Sequence, residues 1–245
     1  MSLINPVDWD SQLFGFPIAA LNATKLTADI MPLIATEIAQ QKIHMLQYLC
    51  PCDDIESIYQ AETEKFHFVD IRVTYQKKIT LSDIAPEKKD DIHFGLANES
   101  HIPELMTISE SLYQDTRYYA DQHFPRDKVH ILHQTWLANA VYGKFDHICY
   151  CLFIDNSPVG FCSVRYNNQR TATLGLFGIA KEHQRKSLGN YLLQLACADL
   201  FSKGYQEILV VTQGKNYGAQ RTYQSNGFKS LKVEMWYHKW FSHAS

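Results

Sequence analysis

The residues from Ile179 to Leu193 read Ile-Ala-Lys-Glu-His-Gln-Arg-Lys-Ser-Leu-Gly-Asn-Tyr-Leu-Leu, a small-residue turn inside a cluster of positive charge. The apolar run 173–179 before them reads as a buried strand, and an amphipathic helix opens at about 187. A turn of this kind leaves the first amides of the helix unpaired, and the helix dipole adds partial positive charge there. Lys181, Arg185 and Lys186 set full charges beside those amides, so the spacing predicts a seat for phosphates.

A second constellation is Asn216-Tyr-Gly-Ala-Gln-Arg-Thr-Tyr-Gln-Ser-Asn-Gly-Phe228. Asn216 is a good N-cap, because its side-chain oxygen accepts from an otherwise orphan amide. Asn216, Ala219 and Tyr223 fall on one helix face. Gly227 suits the left-handed conformation that ends a helix. The result is a rigidly held Tyr223, with the small Ala219 one turn earlier leaving room for a ligand chain.

Alternating patterns supply the elements that must position these residues. Strands are expected at 16–21, 43–49 and 67–75 and helices at 27–41 and 53–66, a short α/β unit over 1–82. A polar, proline-containing stretch follows, and 83–91 is the expected linker. From 92 to 245 a second domain is expected, with strands at 92–97, 147–154, 159–166, 173–179, 207–212 and 231–240 and helices at 98–112, 128–141, 187–203 and 216–226. Residues 117–125 read as an aromatic-rich loop.

The stretch Gln184-x-x-Ser187-x-Gly189 is similar to the Arg/Gln-x-x-Gly-x-Gly/Ala phosphate loop of the GCN5-related N-acetyltransferase (GNAT) family. The run from Asn216 to Phe228 matches that family's Asn-x-x-Ala-x-x-x-Tyr-x-x-x-Gly-Phe element in full, and the resemblance covers about 92–245. It departs at Ser187, where the family has glycine; a serine restricts the backbone and adds bulk, although its hydroxyl can donate. The resemblance implies a mixed α/β (α+β) fold, with a central mixed, mostly antiparallel sheet flanked by helices, plus the smaller N-terminal α/β domain. It implies acetyl-CoA as co-substrate, held by Phe177, Gly178, Ile179, Gln184, Arg185, Lys186, Ser187, Leu188, Gly189, Asn190, Asn216 and Ala219. It also implies a neutral amine attacking the thioester, a backbone amide near Phe177 to Ile179 for the oxyanion, and Tyr223 as general acid to the departing thiolate.

A finer resemblance joins Arg117-Tyr-Tyr-Ala and the run 136–147 to the TDP-fucosamine acetyltransferases, which N-acetylate dTDP-4-amino-4,6-dideoxygalactose and carry an extra N-terminal domain. The opening from Asp8 to Phe16 is similar to the start of those relatives. The acceptor so implied is an aminosugar nucleotide. Arg117 would pair bidentately with its diphosphate, and Tyr118, Tyr119 and Phe124 would stack on base or sugar; aromatic packing between the domains is the other reading of that loop. Another small amine or a protein N-terminus as acceptor, and a CoA-responsive module without turnover, are the competing functions. The general base is open among His147, Glu234, His238 and a water chain. His130 and His133 lie one turn apart without a third ligand, so no metal is expected. Trp9 and Phe14 read as core.

Composition fits a soluble globular chain, with 245 residues, 46% hydrophobic and 20% charged, and a net charge of −3. That balance gives no general attraction to nucleic acid or to an anionic membrane. The start lacks the pattern of a secretory signal, and the six cysteines read as reduced and mostly buried, so a cytoplasmic protein is expected. The family resemblance also admits a homodimer.

Overall fold

The computed structural model describes residues 2–81, 83, 85–113 and 116–242. Ile84 of the expected linker, and Ser82 before it, lie outside the described residues. In chain order the elements are β1 (Ile4–Pro6), α1 (Asp8–Phe14), β2 (Ile18–Leu21), α2 (Met31–Gln41), β3 (Met45–Pro51), α3 (Ile55–Thr63), β4 (His67–Lys78), β5 (His93–Leu96), α4 (Ile102–Leu112), α5 (Arg117–Ala120) and α6 (Arg126–Val141). They continue with β6 (Ile148–Ile154), β7 (Ser157–Tyr166), β8 (Thr171–Ile179), α7 (Leu188–Ser202), β9 (Glu207–Gln213), α8 (Tyr217–Ser225) and β10 (Lys229–Trp240). Contacts group the chain into two compact units, one of Met1–Val73, Asp115–Lys128 and Lys232–Ser245, the other of Thr74–Gln114 and Val129–Leu231. The division falls within β4 and β10.

The first unit orders its strands β1-β2-β3-β10-β4. β2 runs parallel to β3, and β10 antiparallel to it from Glu234↔Pro51 to Trp240↔Met45. Ile34 and Ile38 of α2 and Ala61 of α3 meet Leu46 and Tyr48 of β3 in its core. α3 starts where Asp54 accepts from the Ser57 amide at 3.2 Å and its hydroxyl at 2.7 Å. α1 has no counterpart in the sequence pattern, because its seven residues are too few to show a helical period; Gly15, at φ +85°, ends it. The expected loop at 117–125 begins instead with the helical turn α5.

The second unit orders its strands β4-β9-β8-β7-β6-β5. β5 to β8 pair antiparallel, and β8 pairs parallel with β9. Helices α4 and α7 pack on β7 and β8. A mixed sheet flanked by helices is therefore the observed fold class, as the sequence implies. β4 runs past the expected strand end at 75, because its polar residues find partners: Gln76 bonds Glu207, Lys77 pairs with Asp83, and the Ile79 amide donates to Gln206 at 2.9 Å.

The ladder between β7 and β8 shifts by one residue between Cys162↔Phe177 and Val164↔Leu174, so Gly175 and Leu176 together oppose Ser163. Side chains hold this bulge. Asp146, wholly buried, accepts from the Ser163 hydroxyl at 2.5 Å, and the same hydroxyl accepts from the Leu176 amide at 2.7 Å. Arg165 lies 3.2 Å from the other Asp146 oxygen, a charge contact angled so that it makes no hydrogen bond. A methyl group on Gly175 would stand 2.3 Å from Asp146 Oδ2 and 2.7 Å from Ser163 Oγ, two atoms that cannot give way. Gly175→Ala is therefore expected to destabilise the protein by about 1–3 kcal/mol, read as a lowered urea midpoint. An unchanged midpoint would mean the bulge tolerates a side chain.

Candidate functional site

Past the bulge, β8 and β9 separate. Their pairing runs from Thr171↔Glu207 to Leu174↔Val210, while β8 continues to Ile179 and β9 to Gln213. Residues of β8 alternate in the side to which they turn their backbone groups. Ala180 donates to Val159 of β7 at 2.9 Å, so Phe177 and Ile179 turn theirs the other way, into the gap. The structure thus turns a strip of backbone donors and acceptors toward the gap, where the sequence expects an acyl donor to lie.

The basic loop sits at the end of that strip. Arg185 and Ser187 both have φ of +60°, and Ser187 occupies the N-cap of α7 without using its side chain as a cap. The left-handed conformation costs a residue with a Cβ roughly 1–2 kcal/mol, so the loop is held against its own preference. It leaves the first-turn amides of the 15-residue α7 without intrahelical partners. Lys181, Arg185 and Lys186 are exposed around them. Gly189 has room: a Cβ there would make only ordinary contacts, the nearest being Ile179 and Phe177 at 3.8 Å. Two residues expected to touch the ligand make side-chain bonds within the chain. Gln184 donates its side-chain amide to the Ile179 carbonyl at 3.0 Å, and Asn190 accepts from Asn226 at 2.9 Å, tying α7 to α8.

α8 follows the far strand of the gap. Asn216 caps it, accepting from the Ala219 amide at 3.1 Å, and Gly227, at φ +81°, lies just past its end. Tyr223 is 3% exposed, with its ring centre 6.1 Å from Phe177 and 5.9 Å from both Tyr75 and Phe228. Burial pushes its phenol pKa upward, so it stays protonated at neutral pH. Loop, strip and phenol lie on consecutive elements, β8, α7, β9 and α8, of one unit. A family model described as the acetyltransferase (GNAT) family matches residues 106–228, half of the chain.

The chain belongs to this family. A curated relative, the dTDP-fucosamine acetyltransferase of Escherichia coli O6:H1, is 27% identical over 145 residues, which make up 59% of this chain and 62% of that protein's length. Among solved structures, a functionally unknown conserved protein from Staphylococcus epidermidis aligns with a TM-score of 0.65 at 14% identity, covering 93% of this chain and 87% of that one. A GCN5-related N-acetyltransferase from Sphaerobacter thermophilus aligns with a TM-score of 0.62 at 12% identity, covering 91% and 72%. At such identities these structures speak for the fold alone.

The residues expected to meet the acceptor lie in the first unit and form part of its core. Tyr118 and Phe124 are 4% and 2% exposed and pack on Phe14, with ring centres at 5.3 and 4.5 Å. The Tyr118 hydroxyl donates to Asp10. Arg117 lies between rings, 4.2 Å above Tyr118 and 4.4 Å above Trp236, and its Nη2 donates to the Tyr118 hydroxyl. Tyr118 and Phe124 are therefore turned inward, since stacking on their neighbours removes more apolar surface from water than an exposed loop position would. A cleft of about 460 Å³ in this unit, lined by residues such as Glu64, His67 and His123, includes no member of the basic loop or of α8.

Of the residues considered for a base, His147 accepts from the Tyr166 amide at 3.2 Å, and Glu234 pairs with Lys232. His238, fully buried, donates from Nδ1 to Asp121 at 2.8 Å, and its Nε2 has no hydrogen-bond partner. His130 pairs with Glu110, and among the described residues no group of His, Cys, Asp or Glu is placed to hold a metal ion. Three participants escaped the sequence. Tyr113 bonds Phe177 across 64 positions, and Asp146 and Ser163 fix the bulge. A lone tyrosine at a helix end carries no local signal for such a partner.

Burial lowers the His238 pKa, a drop only partly offset by the Asp121 hydrogen bond. Burial also opposes ionisation of Asp121, but hydrogen bonds from His238, Trp240 and His123 outweigh it and hold that carboxyl below its usual range. For both groups the unfolded chain takes up protons before the folded one does, so stability falls as pH falls. The His238 contribution drains away below about pH 6.5 and that of Asp121 below about pH 4. Urea midpoints measured from pH 7 to pH 5 should decline, and His238→Gln should flatten the slope; equal slopes would remove His238 as its source.

Proposed function

We propose that the protein transfers an acetyl group from acetyl-CoA to the amine of an amino sugar carried on a nucleoside diphosphate. The observation that supports this best is the gap between β8 and β9, with a basic helix start at one end and a buried, protonated phenol beside it. The name of the Escherichia coli relative supports the choice of acceptor. We take 92–245 as the acetyltransferase domain and 1–82 as an added N-terminal domain joined through 83–91, working in the cytoplasm; among the described residues no helix is long and apolar enough to cross a membrane.

The amides at the start of α7, with Arg185, Lys186 and Lys181, grip the diphosphate of the co-substrate. Gly189 keeps that approach open, and Ala219 leaves space along α8. The backbone of Phe177 and Ile179 aligns the amide-bearing arm, and an amide of that strip takes up the negative charge that develops on the acyl oxygen. Tyr223 gives its proton to the leaving sulfur. A sugar amine loses its proton to water, so no dedicated base is required. Arg117 is the residue proposed to meet the acceptor diphosphate, with Tyr118 and Phe124 holding it in place from the core side.

Tyr223→Phe is expected to lower kcat roughly a hundredfold with little change in acetyl-CoA affinity, measured by thiol release against a panel of aminosugar nucleotides. Equal turnover would remove the phenol from the mechanism. Gly189→Ala should melt at the wild-type temperature, because the methyl finds free space, yet bind acetyl-CoA at least tenfold more weakly. In thermal-shift titrations acetyl-CoA should stabilise the protein, as any ligand of the folded state does, and dTDP or UDP should do so too. A response to acetyl-CoA without any response to nucleotides would leave the family activity standing and reject the acceptor.

A further inference from the structure

The open edge of β8 is already occupied, and by this chain's own side chains. The Tyr113 hydroxyl accepts from the Phe177 amide and donates to the Phe177 carbonyl, both at 3.0 Å. The Gln184 side chain covers the neighbouring acceptor, the Ile179 carbonyl. A strand edge with unmet backbone groups is costly where water is scarce, and these side chains do for it what an adjacent strand would do. A strand residue presents its N–H and C=O to the same neighbour. The single phenol oxygen therefore stands on both contacts that an extended, amide-bearing ligand makes when it pairs with that residue. Tyr113 sits just beyond the last residue of α4, its ring stacked on His133 at 4.5 Å and 10°.

We propose that Tyr113 is a placeholder for the acyl donor: its hydroxyl fills the Phe177 position in the free protein and yields it to the ligand's amide arm. The proposal rests on the acyl-CoA reading above and adds a residue that sets how tightly and how reversibly that donor is held. Molecules in which the phenol occupies Phe177 are not competent to pair there, so the apparent affinity is reduced by the fraction that is open. A side chain that merely supported the site would act in the opposite sense, since its loss would weaken binding.

Tyr113→Phe keeps the ring and its stack and deletes only the hydroxyl. Calorimetric titration of the full chain with acetyl-CoA is expected to show binding about three- to tenfold tighter than wild type, the weight of an ordinary hydrogen bond no longer in competition. Amide exchange of Phe177 should quicken about tenfold in the free variant and slow again when acetyl-CoA is added. In the wild type itself, acetyl-CoA should move the resonances of an isotope-labelled Tyr113 ring, a readout that does not depend on the variant folding. Unchanged or weaker affinity, or a ring that stays still on binding, overturns the placeholder while leaving the acyl-CoA reading intact. A wild-type protein that binds no acetyl-CoA overturns both.

Discussion

The bulge at Gly175 and Leu176 is the constraint on which the rest of the site depends. One extra residue in β8 changes which side of the strand each later backbone group faces, since the period of a strand is two. Without it, Phe177 and Ile179 would spend their amides and carbonyls on β7, and the gap toward β9 would be lined by the wrong residues. The bulge is bound to something that cannot slide. Asp146 is wholly buried, and the Ser163 hydroxyl donates to it while accepting from the Leu176 amide. A buried carboxylate left unpaired would cost several kcal/mol, so the network resists any register in which Ser163 no longer reaches both partners.

Strain in the loop follows the same logic at the other end of the strip. Two residues with side chains, Arg185 and Ser187, adopt a conformation that favours glycine. They persist there because their neighbours are fixed: Gln184 is bonded to Ile179, and Asn190 to Asn226 on α8. Outliers of this kind gather where backbone groups must face a ligand rather than one another. The serine in place of the family's glycine thus does not block the fold of the loop. It adds a hydroxyl, uncommitted as a cap, next to the amides that α7 leaves free.

How far the sequence foretold this depends on the range of each interaction. Asn216 capping α8, the left-handed Gly227 and the turn into α7 are settled within a few residues, so residue type alone reveals them. The mixed sheet was legible because alternation marks each strand separately. Burial was not. Arg117-Tyr-Tyr-Ala admits both an offered aromatic loop and aromatic packing, and only Asp10, Phe14 and Trp236, distant in sequence, decide by closing around it. The same limit hid Tyr113, whose partner comes from another element altogether. Local chemistry announces what a residue can do; only packing decides what it faces.

The distribution of charge along the gap gives the chemistry its direction. Lys181, Arg185 and Lys186 stand exposed at the loop, where an anion keeps part of its hydration. Farther in, two phenols are kept neutral by burial. Tyr223 and Tyr113 both have their pKa pushed up, Tyr113 by burial first and by its neighbour Tyr223 second. A reacting acyl group placed there meets dipoles rather than ions, in surroundings poor in water, where a fixed amide dipole is worth more than it is in solvent. In the mechanism proposed above, burial of the Tyr223 phenol keeps its proton in place until negative charge develops on the leaving sulfur. The separation of charge from reactivity is therefore set by two packing choices: the exposed turn into α7, and the burial of α8's inner face against Phe177 and Tyr75.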